Sequence, residues 1–324
     1  FARVEARAEL LQVGGVVVLG IEVREVLRGA PGEDGAAGDV ARPVGSLTYA
    51  PMPAARGGIE ADVTVARVAW DEFYIVTGTG FATHDFNWIS RNLTGDCQLV
   101  DVTSGFAVLS LMGPEARAIL ARVCPHDLTN AGFPFGQARR ISVASCPVLA
   151  LRVTYVGELG WELHMPTDVA VTVYEALVAA GADLGLVNAG YRAIETLRLE
   201  KGYRAWGADI GPDHTPVEAG LTWACKLKSG VDFIGRAAVA AQLSGGVKKW
   251  LAGFTVEDPN VILLGRETIY RNGERVGWLS SGGFGHTVGK PIGYGFVRRA
   301  TGVDADFVAT GSYELEVASE RVPA

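Results

Sequence analysis

From Gly45 onward the hydrophobic positions of this chain fall into regular spacings. Ile59, Ala61, Val63 and Val65 alternate with Glu60, Asp62 and Thr64, the period of two that a half-buried strand requires. That alternation puts Asp62 on the polar face. Further strands are predicted at Glu72 to Thr77 and Phe106 to Met112, followed by a helix opening at Gly113-Pro114-Glu115 with Pro in its first turn. Leu149, Leu151, Val153 and Tyr155 alternate again, a Gly-Glu-Leu-Gly segment turns the chain, and Trp161, Leu163 and Met165 alternate on the return. The stretch reads as a β-hairpin, and Glu162 then points away from Trp161 and Leu163. Two helices come next. Val169, Val173 and Leu177 follow Asp168, read as an N-cap, and stop at Gly181, while Tyr191, Ile194 and Leu197 share a stripe that stops at Gly202. Beyond about Ser244 short β-like runs at Leu251 to Val256, Glu267 to Tyr270, Gly277 to Ser280 and Tyr313 to Val317, split by Gly and Asn turns, predict an all-β C-terminal subdomain. Residues 1–45 show no clear period, with an apolar run from Gly14 to Val23 and a Gly/Ala/Glu/Asp loop from Gly29 to Gly38. Mixed strands and helices place the chain in the α+β class.

Composition narrows the possibilities. At 324 residues the chain exceeds the size at which one core stops growing, so two or three subdomains are expected. With 48% hydrophobic and 20% charged residues it has an ordinary globular composition, and no apolar run reaches the ~18 residues of a membrane span. The net charge is −7 without a dense Lys/Arg cluster, which argues against nucleic-acid binding. Cys97, Cys124, Cys146 and Cys225 are widely spaced, with neither a C-x-x-C pair nor a histidine at zinc spacing. Free thiols in a reducing compartment are expected, and no metal site. No secretory signal is visible, so the expectation is a cytoplasmic protein, or one of the mitochondrial matrix if a transit peptide has been removed. Neither Gly78-Thr79-Gly80 nor Gly283-Phe284-Gly285 completes a G-x-G-x-x-G turn, so no flavin or nicotinamide site is expected.

Several residues could carry chemistry. Asp62 lies beside Gly57 and Gly58, which have no side chains to block a ligand; a solvated strand aspartate would look the same. Glu162 is either an exposed hairpin residue or a carboxylate accepting two parallel N–H bonds from an aminopyrimidinone edge. Glu158 reads as a turn residue. Arg198 and Glu200 are compatible with a surface ion-pair network, and His84, beside Asp85 and Trp88, reads as structural.

Five stretches keep fixed company: Tyr49 with Gly57-Gly58-Ile59-Glu60-Ala61-Asp62, Tyr155 through Glu162, Leu197 through Tyr203, Gly283 through Lys290, and Tyr313 through Val317. Together they resemble the folate-binding aminomethyltransferase family typified by the glycine cleavage T-protein, and most closely the members fused behind the flavin domain of dimethylglycine and sarcosine dehydrogenases. The resemblance implies three subdomains around a central folate cleft: residues 1–45 with 140–243, residues 46–139, and a small β-barrel or jelly roll at 244–324. It implies bound tetrahydrofolate, with Asp62, thirteen positions after Tyr49, as the catalytic carboxylate near the folate nitrogens. Tyr155 and Glu162 inherit the role of holding the pterin, and Tyr49 and Tyr203 that of folate-binding aromatics. Where T-proteins have a cavity arginine, four positions before Arg198, this chain has Ile194; Arg192 and Arg204 are the nearest alternatives, and Arg192 is taken as the binding residue. The implied reaction passes a one-carbon unit from a methylated amine or its imine to tetrahydrofolate, giving methylene-tetrahydrofolate, with a flavin-containing dehydrogenase domain or subunit as a partner. A demethylase forming methyl-tetrahydrofolate and a non-catalytic regulatory subunit are the alternatives. The likeness covers Gly45 to Ala324; the family's Phe-Asp-Leu-Ser-like strand and Gly-Pro-Asp/Gly-Ala helix start are not recognisable before it.

Overall fold

Alternating sequences dominate the first half of the chain and assemble into two sheets. A computed structural model describes residues 9–13, 16–23, 40, 42–95, 97–230 and 232–324; the predicted loop from Gly29 to Gly38 lies outside these residues. One sheet has six strands in the order Leu186–Asn188, Glu9–Val13, Phe106–Met112, Gly160–Pro166, Cys146–Leu151 and Ala138–Val143, of which only the first pair is parallel. A second orders Leu47–Pro53, Ile59–Arg67, Glu72–Gly78, Val16–Val23 and Cys97–Asp101. The C-terminal sheet orders Val247–Thr255, Lys290–Val303, Glu274–Gly285, Thr268–Arg271, Tyr313–Val317 and Glu320–Pro323, all antiparallel. The α+β class and the small C-terminal β domain therefore hold. Chain contacts divide the protein into two compact units: Val63–Tyr191 with the segment up to Ala50, and Pro51–Asp62 with Arg192–Ala324. Among the described residues no helix is long and apolar enough to cross a membrane.

In the first unit a smaller core cluster with Leu149, Leu151 and Tyr74 lies on one face of the six-stranded sheet, and the larger cluster lies on the other. Trp161, Leu163 and Met165 are fully buried there, beside Leu109 and Leu111 of the neighbouring strand and under Ile119, Leu120, Val173 and Leu177 of helices Ala116–Ala121 and Ala170–Gly181. The Trp161 ring meets Phe133 edge-on at 6.2 Å and lies 5.5 Å from the Arg152 guanidinium. That guanidinium donates to the Phe133 carbonyl and to Asn130 Oδ1, so the ring is held from both sides. The hairpin forms as predicted but is shorter than the alternation suggests. Its first strand stops at Leu151, and Val153 and Tyr155 belong to the connecting loop, because the Thr154 hydroxyl accepts the Val156 and Gly157 amides (3.2 and 3.0 Å) and turns the chain. Asp168 is not the helix cap. Val169 occupies that position and supplies no side-chain hydrogen bond.

In the second unit helix Tyr191–Lys201 ends where predicted, with Gly202 at φ +76° and the amides of Gly202 and Tyr203 donating to the Leu199 and Arg198 carbonyls. Arg198 corrects the expectation of a surface ion pair. It lies four residues after buried Ile194, on the same helix face, and is itself fully buried. Its guanidinium donates to Asp209 Oδ2 (2.5 Å), Glu195 Oε2 (2.9 Å), Ser281 Oγ (2.7 Å) and the Tyr203 carbonyl (3.0 Å). Asp209, 1% exposed, also accepts from the Ala205 amide and from the hydroxyls of Ser280 and Ser281. Glu200 accepts the Thr287 and Val288 amides (2.6 and 3.0 Å), which gives the Gly283 to Lys290 motif a structural role: its turn is pinned to the helix. The C-terminal core gathers Phe254, Ile269, Leu279, Val297 and Leu315.

The glycine pair before Asp62 likewise serves the backbone. The Ile59 amide donates to the His214 carbonyl (2.8 Å), and Trp206 Nε1 donates to the Ile59 carbonyl (3.0 Å). A Cβ on Gly58 would lie 1.9 Å from the Pro212 carbonyl oxygen. The missing side chain thus admits the 206–214 segment.

Two substitutions test this account. Arg198→Met leaves Asp209 buried without its cation and should cost about 3–5 kcal/mol, read as a fall in the urea midpoint; a midpoint within error of the unmutated protein contradicts the clamp. Gly58→Ala should cost about 1–3 kcal/mol through overpacking against backbone, and an unchanged melting temperature would mean that the 206–214 segment is not held as described.

Candidate functional site

The strand Gly160–Pro166 carries two polar side chains on the face opposite Trp161 and Leu163. Glu162 sits between Leu151 and Ser110 of the flanking strands, and His164 between Leu149 and Val108. Because the core face fixes the register, these two residues are held on one side of the sheet, as the alternation predicts for Glu162. The Glu162 side chain retains 18% exposure and His164 none. His164 Nε2 lies 3.5 Å from Glu162 Oε2. On its other side, Nδ1 lies 3.1 Å from the hydroxyl of Tyr74, a buried residue of strand Glu72–Gly78 whose ring meets His164 at 5.4 Å and Phe106 at 5.8 Å, both edge-on. Burial raises the Tyr74 pKa well above its ordinary value, the Glu162 carboxylate adds to the rise, and Arg140 opposes it. Tyr74 therefore keeps its proton and can donate toward Nδ1.

His164 and Tyr74 are functional candidates absent from the sequence-derived set. Position 164 was within reach of the argument, since a period of two puts it on the face of Glu162. Nothing local marks Tyr74, ninety residues away. Tyr49 is half-buried in strand Leu47–Pro53, and Tyr155 is 36% exposed in the loop that Thr154 turns. Glu158 is exposed in the same loop. A cavity of about 470 Å³ is lined by Ala138, Arg140 and Leu149 among others. Leu149 pairs with both His164 and Arg140 across the sheet, but Glu162 is not part of the lining, so the cavity neighbours the carboxylate and does not contain it.

The second unit holds the remaining predicted residues. Asp62 is half-buried, with Ala61 and Val63 on either side fully or almost fully buried, which keeps it on the polar face of the strand. Arg192 is exposed in the first turn of helix Tyr191–Lys201. Ile194 is buried, and Arg204 spends its guanidinium on the Ala219 and Gly202 carbonyls (3.1 and 2.6 Å). Tyr203 follows Gly202 half-buried, and burial raises its hydroxyl pKa. In the first unit, His84 Nδ1 lies 2.9 Å from Asp85 Oδ1, and buried Asp85 also accepts from the Thr77 hydroxyl. That arrangement suits the structural reading of His84.

Comparison with known proteins adds an independent line. The GCVT N-terminal domain matches residues 32–229 and the glycine cleavage T-protein C-terminal barrel domain residues 249–324. Mitochondrial sarcosine dehydrogenase of Homo sapiens is 44% identical over 296 residues, covering 86% of this chain and 32% of its own length. Mitochondrial dimethylglycine dehydrogenase of Homo sapiens is 35% identical over 257 residues, covering 78% and 30%. The chain thus spans about a third of the length of these curated relatives. The crystal structure of glycine cleavage system aminomethyltransferase T from Bartonella henselae shares the fold with a TM-score of 0.81 and 26% identity, covering 99% of this chain and 86% of that one. With both domains matched across most of its length, the chain belongs to the glycine cleavage T-protein family of aminomethyltransferases.

Proposed function

We propose that this chain transfers a one-carbon unit from a methylated amine, as an iminium or aminomethyl group, to tetrahydrofolate, giving methylene-tetrahydrofolate and the demethylated amine. The observation that carries the reading is Glu162: a partly exposed carboxylate backed by a buried imidazole and hydroxyl. Such a carboxylate fits a planar ligand edge with two parallel N–H donors, which the pterin presents. Tetrahydrofolate, when bound, supplies the amine nitrogens that capture the one-carbon unit. Glu162 orients that ligand by accepting its N–H groups, with Tyr155 beside it and Tyr49, Tyr203 and Arg192 as further binding residues. Asp62 is the catalytic group, accepting or holding a proton at its carboxylate. Subdomain limits after residues 45, 139 and 243 form part of this proposal. The identity to sarcosine and dimethylglycine dehydrogenases supports a methylated amine as donor. Their greater length supports a flavin-containing dehydrogenase domain or subunit as partner, and their mitochondrial names support the matrix as location.

Glu162→Gln keeps size but turns one acceptor into a donor facing the ligand's own donors. Losing charge-assisted bonds of about 1.5–3 kcal/mol each should weaken tetrahydrofolate binding more than about tenfold by calorimetry. In the unmutated protein, ligand at about 100 dissociation constants should raise stability by roughly 2.7 kcal/mol; the absence of any melting shift with reduced folates sinks the folate reading. Asp62→Asn should leave binding and melting near their original values while single-turnover transfer, with formaldehyde as donor, falls about 100- to 10,000-fold. A variant that transfers at the original rate removes Asp62 from catalysis, and recovery of methyl- in place of methylene-tetrahydrofolate would redirect the reaction to demethylation.

A further inference from the structure

We propose that His164, set in place by Tyr74, is the positioning residue for the Glu162 carboxylate; this rests on the reading of Glu162 as the pterin-holding group. A fully buried imidazole is costly unless its nitrogens are used. A leucine or phenylalanine could fill the same position with no such cost. Here Nδ1 is used, facing the Tyr74 hydroxyl at 3.1 Å, and Nε2, itself buried, faces Glu162 Oε2 at 3.5 Å. Because the carboxylate facing Nε2 can only accept, the tautomer that serves both contacts carries its proton on Nε2 and takes the Tyr74 hydroxyl hydrogen at Nδ1.

The chain of contacts runs Tyr74 O–H to His164 Nδ1, then His164 Nε2–H to Glu162 Oε2. It steers one carboxylate oxygen and leaves the remaining lone pairs for a ligand. The 3.5 Å gap is longer than a formed hydrogen bond, and such bonds tighten when the ligand orders the carboxylate. Among the described residues, the titratable groups in contact with His164 are Glu162 on its own strand and Tyr74 from strand Glu72–Gly78, and Arg140 of strand Ala138–Val143 acts on Tyr74. His164 is thus a polar link between a buried hydroxyl and a partly exposed carboxylate, and its value lies in orientation.

The test combines ring-nitrogen NMR with a double-mutant cycle on tetrahydrofolate binding. In the unmutated protein the His164 ring should show the Nε2–H tautomer, with its Nε2 signal moved by Glu162→Gln and a tautomer mixture in Tyr74→Phe. By calorimetry His164→Phe should weaken binding about tenfold, the worth of one hydrogen bond to a charged group. His164→Gln, which keeps a donor near the Nε2 position, should stay within about threefold. In the Glu162→Gln background, His164→Phe should cost less than about twofold. A side chain that only fills space predicts equal losses in both backgrounds and no advantage of Gln over Phe. Either that pattern or an Nδ1–H tautomer in the unmutated protein overturns the proposal while leaving the folate reading intact. If His164→Phe does not fold, His164→Gln and Tyr74→Phe, each paired with Glu162→Gln, carry the cycle: a loss for Tyr74→Phe that vanishes in the Glu162→Gln background supports the relay, and one that persists overturns it. If the unmutated protein binds no tetrahydrofolate, the reading of Glu162 falls and the role of His164 falls with it.

Discussion

The first unit depends on seven residues that must satisfy two environments at once. Strand Gly160–Pro166 buries Trp161, Leu163 and Met165 on one face, each worth about 1.5–3 kcal/mol of transfer free energy. A slip of one residue would exchange the faces and lose that sum. Glu162 and His164 therefore owe the side of the sheet they occupy to the apolar residues that alternate with them. Hydrophobic burial, which has no directional preference, becomes directional here because the backbone pleat converts it into a choice of side.

The second unit solves the same problem with charge. Arg198 distributes its guanidinium over Asp209, Glu195, Ser281 and the Tyr203 carbonyl, tying the helix, the chain after it and the C-terminal sheet to one buried point. Buried ions are tolerated only when every donor and acceptor is met, and here the partners come from three stretches of sequence. Glu200 extends the arrangement from the same helix to the turn at Thr287 and Val288.

These two devices differ in how readily a sequence discloses them. Period-two strands from Ile59 to Met165, the stop at Gly202 and the C-terminal β character were legible because local spacing encodes them. Arg198 was not, since charge argues for the surface while its spacing from Ile194 places it inside, where Glu195 and Asp209 neutralise it. Tyr74 was hidden because its partner His164 lies 90 residues away. Strand Lys290–Val303 was obscured by glycines that read as breakers. In the structure a Cβ at Gly293 would come within 2.4 Å of Leu279, and one at Gly295 within 2.5 Å of the Trp278 carbonyl oxygen, so these residues are small to let neighbouring chains approach. The apolar run before Val23 is a strand held between Glu72–Gly78 and Cys97–Asp101, partners that nothing in its own spacing indicates.

The closed circle around Arg198 also bears on how this family can change over evolutionary time. Both oxygens of Asp209 are occupied, and no single replacement at either end restores the balance of charge and donors. Loss of one partner leaves the other as an unpaired buried charge, so a neutral path requires a concerted exchange of both.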